Sequence, residues 1–329
     1  MKRHKICKII LAILAVFLCV AFYELIGICI TYKKQPAVSD ATIKETQNIM
    51  SVAGRENTER AVIIEKNSQA LLERVRLIQN AKDEIILSTF AFKSDESGKL
   101  ILGALHDAAD RGVHVRILVD GMESWIDMEG NPYFYGLSSH ENVEIKLYNK
   151  ANPLKPWKTM GRMHDKYLIA DGKIYILGGR NTYNYFLGDF PGHKNFDRDV
   201  LVVCDEPQKD NSVNQLWNYF ETIWEQEDCR YFHNSKKLAD RQSVKKAVLE
   251  LQEGYQQYFE VNKEKICDTD YADETFETEK ITLLSNPIHT QAKEPVVWYQ
   301  LGELMKNAKE RVKIHTPVSY THLRAHETL

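Results

Sequence analysis

His164, Lys166, Asp171, Gly178, Gly179 and Asn181 fall in the pattern His-x-Lys-(x)4-Asp-(x)6-Gly-Gly-x-Asn, a set of residue types suited to a phosphodiester. On a strand, His164 and Lys166 would project from the same face, because side chains alternate with a period of two. Two short apolar runs flank Asp171-Gly172, the pattern of a β-hairpin, which returns Gly178 to Asn181 beside His164. A neutral imidazole can attack phosphorus and form a covalent phosphohistidine. Lys166 and the Asn181 amide would hold the non-bridging oxygens as charge builds on them. Gly178 and Gly179 would let backbone N–H groups approach the phosphate. Asp171 serves equally as a turn residue or as part of the chemistry. No Cys-x-x-Cys pair or carboxylate cluster has metal-ligand spacing, so neither metal nor cofactor is expected.

These residues need a scaffold. Leu71, Leu72, Val75 and Ile78 share one helical face, with Ser68 as its expected cap. A strand is expected over 84–92, a helix from Gly98 to Arg111 with Gly112 as C-cap, and strands over 113–119 and 143–148. Asp120-Gly121 reads as a turn, and 149–161 as a loop. A strand over 199–204 follows, then a helix striped by Trp217, Phe220 and Trp224. The long helical stretch 236–265 should lead out of the unit, and the acidic 268–279 should link it onward. The alternation implies an α/β domain with a mostly parallel sheet flanked by helices.

The first 34 residues are of another kind. Ile9 to Ile30 is an apolar run of roughly 22 residues, about 33 Å as a helix and long enough to span a bilayer. Lys2, Arg3, Lys5 and Lys8 precede it, whereas only Lys33 and Lys34 follow closely. The positive-inside rule then puts the N-terminus in the cytoplasm and the main body outside. No small-x-small cleavage site follows the run, which favours an uncleaved single-pass anchor over a signal peptide. Residues 35–60 read as a polar linker. One pair among Cys204, Cys229 and Cys267 is a possible disulfide, with no spacing to choose it. Lys150, Lys155, Lys158 and Arg162, with Trp157 among them, form either a solvated loop or a contact for anionic headgroups.

The His164 to Asn181 stretch resembles the HKD motif of the phospholipase D superfamily, and Gly178-Gly179-Arg180-Asn181 resembles the ending of its cardiolipin-synthase-like branch. The likeness extends over nearly all of the chain after the linker, including residues 111–121 and Asp197-Arg198-Asp199-Val200. It implies a nucleophilic His164, with Lys166 and Asn181 as phosphate ligands. Asp171 would be structural or orienting, and Asp197 a partner for the other ring nitrogen of His164. It also implies two motifs facing each other across one site, the second histidine protonating the leaving group.

One motif is present. The segment 77–89, however, has an echo at 304–316 with the same helix-into-strand pattern, at an offset of 227 residues. A second motif is therefore expected near position 391, and 319–329 reads as an artefactual tail in which His322 and His326 carry no function. The organisation expected is an anchor at 1–34, a linker at 35–60, a first catalytic domain at 61–265 and the start of a second at 266–318. The function expected is phospholipase D-type phosphodiester hydrolysis or phosphatidyl transfer on glycerophospholipids at a cell membrane. A metal-independent nuclease of the same superfamily and an inactive phosphate- or membrane-binding fragment are the alternatives. The net charge of −3 and the anchor argue against a nucleic-acid partner. A dimer sharing two copies of His164 is expected only if a second motif is truly absent.

Overall fold

The computed structural model describes residues 2–51, 59–206 and 210–314. An apolar helix, α1 (Lys2–Tyr32), precedes a short helix, α2 (Asp40–Ser51). The alternating unit begins with β1 (Glu59–Ile64), α3 (Asn67–Asn80), β2 (Glu84–Thr89), α4 (Glu96–Asp110) and β3 (His114–Asp120). It continues through α5 (Gly121–Asp127), α6 (Pro132–Ser138) and β4 (Val143–Tyr148) to the hairpin of β5 (Tyr167–Ala170) and β6 (Ile174–Gly178). β7 (Asp199–Cys204), α7 (Ser212–Trp224), β8 (Cys229–Tyr231), α8 (Lys236–Ala239), α9 (Gln242–Ile266), β9 (Phe276–Glu277) and α10 (Val296–Asn307) complete it.

All nine strands join one sheet in the order β8-β4-β3-β2-β5-β6-β7-β1-β9. Only β2, β3 and β4 run parallel; the other pairings are antiparallel, so the sheet is mixed rather than mostly parallel. The parallel part follows from the α4 crossover, and the antiparallel part from the tight hairpin at Asp171-Gly172. Both faces are covered, which explains the near-continuous apolar strands. Ile85, Leu87, Val115, Ile117 and Ile145 pack on α3, α4 and α9, and Ile86, Leu118, Ile169 and Val202 on α7.

Several elements differ from the sequence reading. Part of the expected linker is α2, and β1 begins at Glu59 because the sheet needs a strand beside β7. Lys66, not Ser68, occupies the N-cap of α3. Asp95 caps α4 by accepting from Gly98 N, and Gly112, at φ 94°, follows its C-cap. Asp120-Gly121 is no simple turn: the Asp120 carboxylate caps α5. The stretch 236–265 breaks after Ala239, and α9 returns along α4 and α6 instead of leaving the unit. A Cβ at Gly103 would lie 2.6 Å from Leu251 O, so glycine sets that close approach. The acidic segment is tied down as well. Tyr271 is buried, Arg76 bonds the carbonyls of Asp268 and Asp270, and β9 pairs with β1. Cys204 and Cys229 are buried, Cys267 is exposed, and no disulfide joins them among the described residues.

The two echoed segments end their helices alike. α3 stops at Asn80 and α10 at Asn307, each followed by an extended alanine, Ala81 at ψ 140° and Ala308 at ψ 128°. Residues 311–314 lie in no strand, and the rest of the echo, with His322, His326 and the tail at 319–329, is outside the described residues.

Candidate active site

The site forms where β2 and β3 end and where β5 begins. His164 and Lys166 are not on a strand but in the extended segment just before Tyr167. What brings them together is Phe90, at the end of β2. The His164 ring meets it edge-on at 4.5 Å, Lys166 Nζ sits 5.2 Å from its centroid, and the Arg162 guanidinium 5.1 Å. Lys166 Nζ also donates to His164 O at 2.6 Å.

Asp120 fixes this segment from the tip of β3. Its buried carboxylate accepts from Arg162 Nε and Nη2 at 2.9 and 2.6 Å, and from Met163 N at 3.1 Å. His164 is thus held by its neighbours' bonds. Among the described residues its ring makes no hydrogen bond and stays open to solvent. Loss of water on its packed side pushes its pKa below the ordinary value, and Lys166 and Arg162 push the same way against Asp120. Neutral imidazole, the nucleophilic form, therefore predominates at pH 7. Burial also brings Lys166 down to about 8, despite the attraction of Asp165, Asp197 and Asp120.

Beyond the hairpin, Asn181 lies against the residues that follow β2. Asn181 Oδ1 accepts from Ala91 N at 3.2 Å, which orients the amide and leaves its N–H₂ without a partner among the described residues. The glycines have another purpose than the expected one. A Cβ at Gly179 would fall 1.9 Å from Asp197 Oδ2, and one at Gly178 would fall 2.0 Å from Asp199 Oδ1. The space they leave is filled by the chain's own carboxylates. Gly178 N donates to Lys166 O at 3.2 Å, so it is not a free phosphate donor. Below them Arg180 is fully buried, bonding Asn67, Ile64 O, Glu65 O and Asp197 O, and pairing with Asp199 at 3.2 Å.

Of the two alternatives for Asp171 the structure shows the turn, and the role expected of Asp197 changes. Asp171 lies at the far end of the hairpin, on the order of 15 Å along the strand from Lys166. Its carboxylate accepts from Lys82, Asp83 and Glu84 backbone N–H groups at 2.8 to 3.1 Å, tying the hairpin turn to the start of β2. Its φ of 52° also suits a turn. Asp197 acts on Lys166 rather than on the His164 ring; its Oδ1 accepts from Arg198 N at 2.7 Å. Phe90 and Asp120 escaped the sequence reading. An aromatic residue at a strand end carries no motif, and Asp-Gly is the commonest disguise of a turn.

A cleft of about 410 Å³ lies over this cluster, lined by Arg162, His164, Lys166, Gly178 and Tyr219, with Lys293 on its far wall. Residues 75–224, which contain Phe90, Asp120, Arg162, His164, Lys166, Asn181 and Asp197, match the family model for the phospholipase D-like domain of cardiolipin synthase. Over residues 75–224 the chain is phospholipase D-like. An uncharacterised protein of Helicobacter pylori is 33% identical over 181 residues, 51% of this chain and 35% of that protein. Cardiolipin synthase C of Escherichia coli is 29% identical over 43% of this chain and 31% of its own length. The chain thus spans about a third of the curated relatives it matches. Among solved structures, NucT from Helicobacter pylori covers 53% of this chain and 99% of its own, with a TM-score of 0.41 and 17% identity. Within the matched residues, buried Arg180 and Asp199 lie beneath Gly178 and Gly179, and His164, Lys166 and Asn181 lie nearby at the end of β2.

Proposed function

We propose that this phospholipase D-like domain acts on glycerophospholipids, cleaving or transferring at the headgroup-side phosphoester through a phosphohistidine at His164. The observation that carries the reading is a neutral imidazole without a hydrogen bond, open to the cleft and beside a buried cation. In the first step one ring nitrogen attacks phosphorus, a P–N bond forms and the P–O bond to the headgroup breaks. The leaving oxygen takes its proton from a general acid that the family resemblance assigns to a second motif. Water or an alcohol then attacks phosphorus and restores the imidazole, giving phosphatidic acid or a new phosphodiester. Lys166 and the free Asn181 N–H₂ hold the non-bridging oxygens during both steps.

The membrane belongs to the same proposal. α1 contains a stretch, Lys5–Tyr32, long and apolar enough to cross a bilayer and with none of its apolar window buried. Its flanking charges favour a cytoplasmic N-terminus and an extracytoplasmic domain. The related ends of α3 and α10 support a second unit beginning near residue 266. The test is turnover of phospholipid in mixed micelles by the protein and by its His164→Ala variant. Lipid turnover lost with His164 is the expected result. Cleavage of DNA without added metal and without lipid turnover would replace this reading with that of a nuclease.

A further inference from the structure

α1 is longer than a membrane. Its 31 residues would extend about 46 Å against a hydrocarbon core of about 30 Å, which takes roughly 20 of them, so with Lys8 outside the core the last turn of α1 stands beyond it on the domain side. Among the described residues of α1, those near its end make the contact with the folded unit. Glu24, Gly27, Ile28, Thr31 and Tyr32 make a half-buried stripe on one helical face. Glu24, the one acid of the span, is on this protein-facing side rather than among the exposed apolar residues. The stripe docks on the loop 149–161, which leads into Arg162 and His164. Tyr23 Oη donates to Leu154 O at 3.1 Å, and Tyr32 Oη donates to Thr290 O at 3.1 Å. A Cβ at Gly27 would lie 2.5 Å from Pro156 Cγ, so glycine allows the helix to lie directly on the loop.

That docking fixes the loop's depth. Counted from Ile9, roughly 20 residues put the edge of the hydrocarbon near Ile28, level with Pro156, which meets Gly27, and leave Leu154, bonded to Tyr23, on the hydrocarbon side of it. The side chains the loop presents there suit a bilayer boundary and not water: Leu154 is 76% exposed, Met160 57% and Trp157 41%. Trp157 also lines, with Ile26, Ile30 and Pro156, a cleft of about 640 Å³ between helix and loop. Residues 149–161 contain no acid, and Lys150 and Lys155 are exposed, as are Lys33 and Lys34 just beyond the helix. Apolar tips, an indole and exposed lysines make a surface complementary to an anionic phospholipid interface.

We infer that the loop 149–161 is a second membrane contact, inserted at the bilayer surface beside α1. It holds the His164 cleft at the depth of lipid phosphates. The inference rests on the reading of α1 as a membrane anchor, and the experiment separates the two. The full chain is reconstituted in vesicles of phosphatidylcholine and phosphatidylglycerol. Alkaline carbonate extraction reports on α1. Quenching of tryptophan emission by lipids brominated high on their acyl chains, compared between the protein and its Trp157→Phe variant, reports on the loop. Retention in the vesicles, with loss of the lipid-quenched component in Trp157→Phe, is expected. Retention with the same quenching in both proteins overturns the loop contact and leaves the anchor standing. Release by carbonate overturns the anchor and the loop contact together.

Discussion

Replacing Lys166 with methionine should make the folded chain more stable at neutral pH, although it removes a proposed phosphate ligand. Lys166 is 6% exposed, and burial lowers its pKa from 10.5 to about 8, a net effect that already includes the attraction of three acids. A fall of about 2.5, at ~1.36 kcal/mol for each, is a charging penalty on the order of 3 kcal/mol at pH 7. Methionine matches the aliphatic stem but forfeits the bond to His164 O, worth about 1 kcal/mol. The net gain should be about 1–2 kcal/mol. The sign follows from linkage. The folded pKa is below the unfolded one, so the penalty is complete below about 8 and fades as pH rises toward 10.5. Urea unfolding in detergent micelles, followed by tryptophan emission, would measure it. The advantage of Lys166→Met should be present at neutral pH and shrink to near zero by about pH 10. A variant less stable than the parent at neutral pH, or a difference indifferent to pH, would refute the assignment of Lys166 as a strained, buried cation.

The same two groups set a bell-shaped pH dependence of kcat/KM. The acid limb, from protonation of His164, should lie below 6.5, and the alkaline limb, from loss of the Lys166 proton, near 8. Lys166→Arg should move the alkaline limb out of range while leaving the acid limb in place. Asp171→Asn should lose about 1–3 kcal/mol of stability, because a carboxylate accepting from the backbone of residues 82–84 becomes a neutral amide. The folded fraction of that variant should keep its kcat and KM, whereas a selective fall in kcat would return Asp171 to the chemistry.

The stretch from His164 to Asn181 was legible because its spacing has local meaning. A hairpin about Asp171-Gly172 must bring Gly178 back beside Lys166, and it does. The core helix stripe was legible for the same reason, with Phe220 and Trp224 buried and Trp217 half-buried. What escaped depends on contacts far apart in sequence. Nothing near Asp120 announces that it will clamp Arg162, 42 residues later, or that Phe90 will be the floor under His164. The glycines were found but misread. Their lost side chains make room for Asp197 and Asp199, a steric reason that only the packed structure reveals. The sheet was taken as mostly parallel because helices separate its first strands, while the hairpin inserted beside β2 turns the remainder antiparallel. Likewise α9 was read as an exit because its charges are conspicuous, yet the apolar face of Val244, Ala247, Leu251 and Tyr255 draws it back.

The central claim is that His164 is the nucleophile, and an activated phosphodiester tests it without the need for a general acid. The protein would be mixed with a bis(p-nitrophenyl) phosphate, whose phenolate leaves unprotonated, quenched in alkali and digested for mass spectrometry. A phosphoryl adduct on the peptide containing His164, formed with a burst of nitrophenolate and absent from His164→Asn, is the expected result. An adduct on another residue, or a burst that survives His164→Asn, would contradict it.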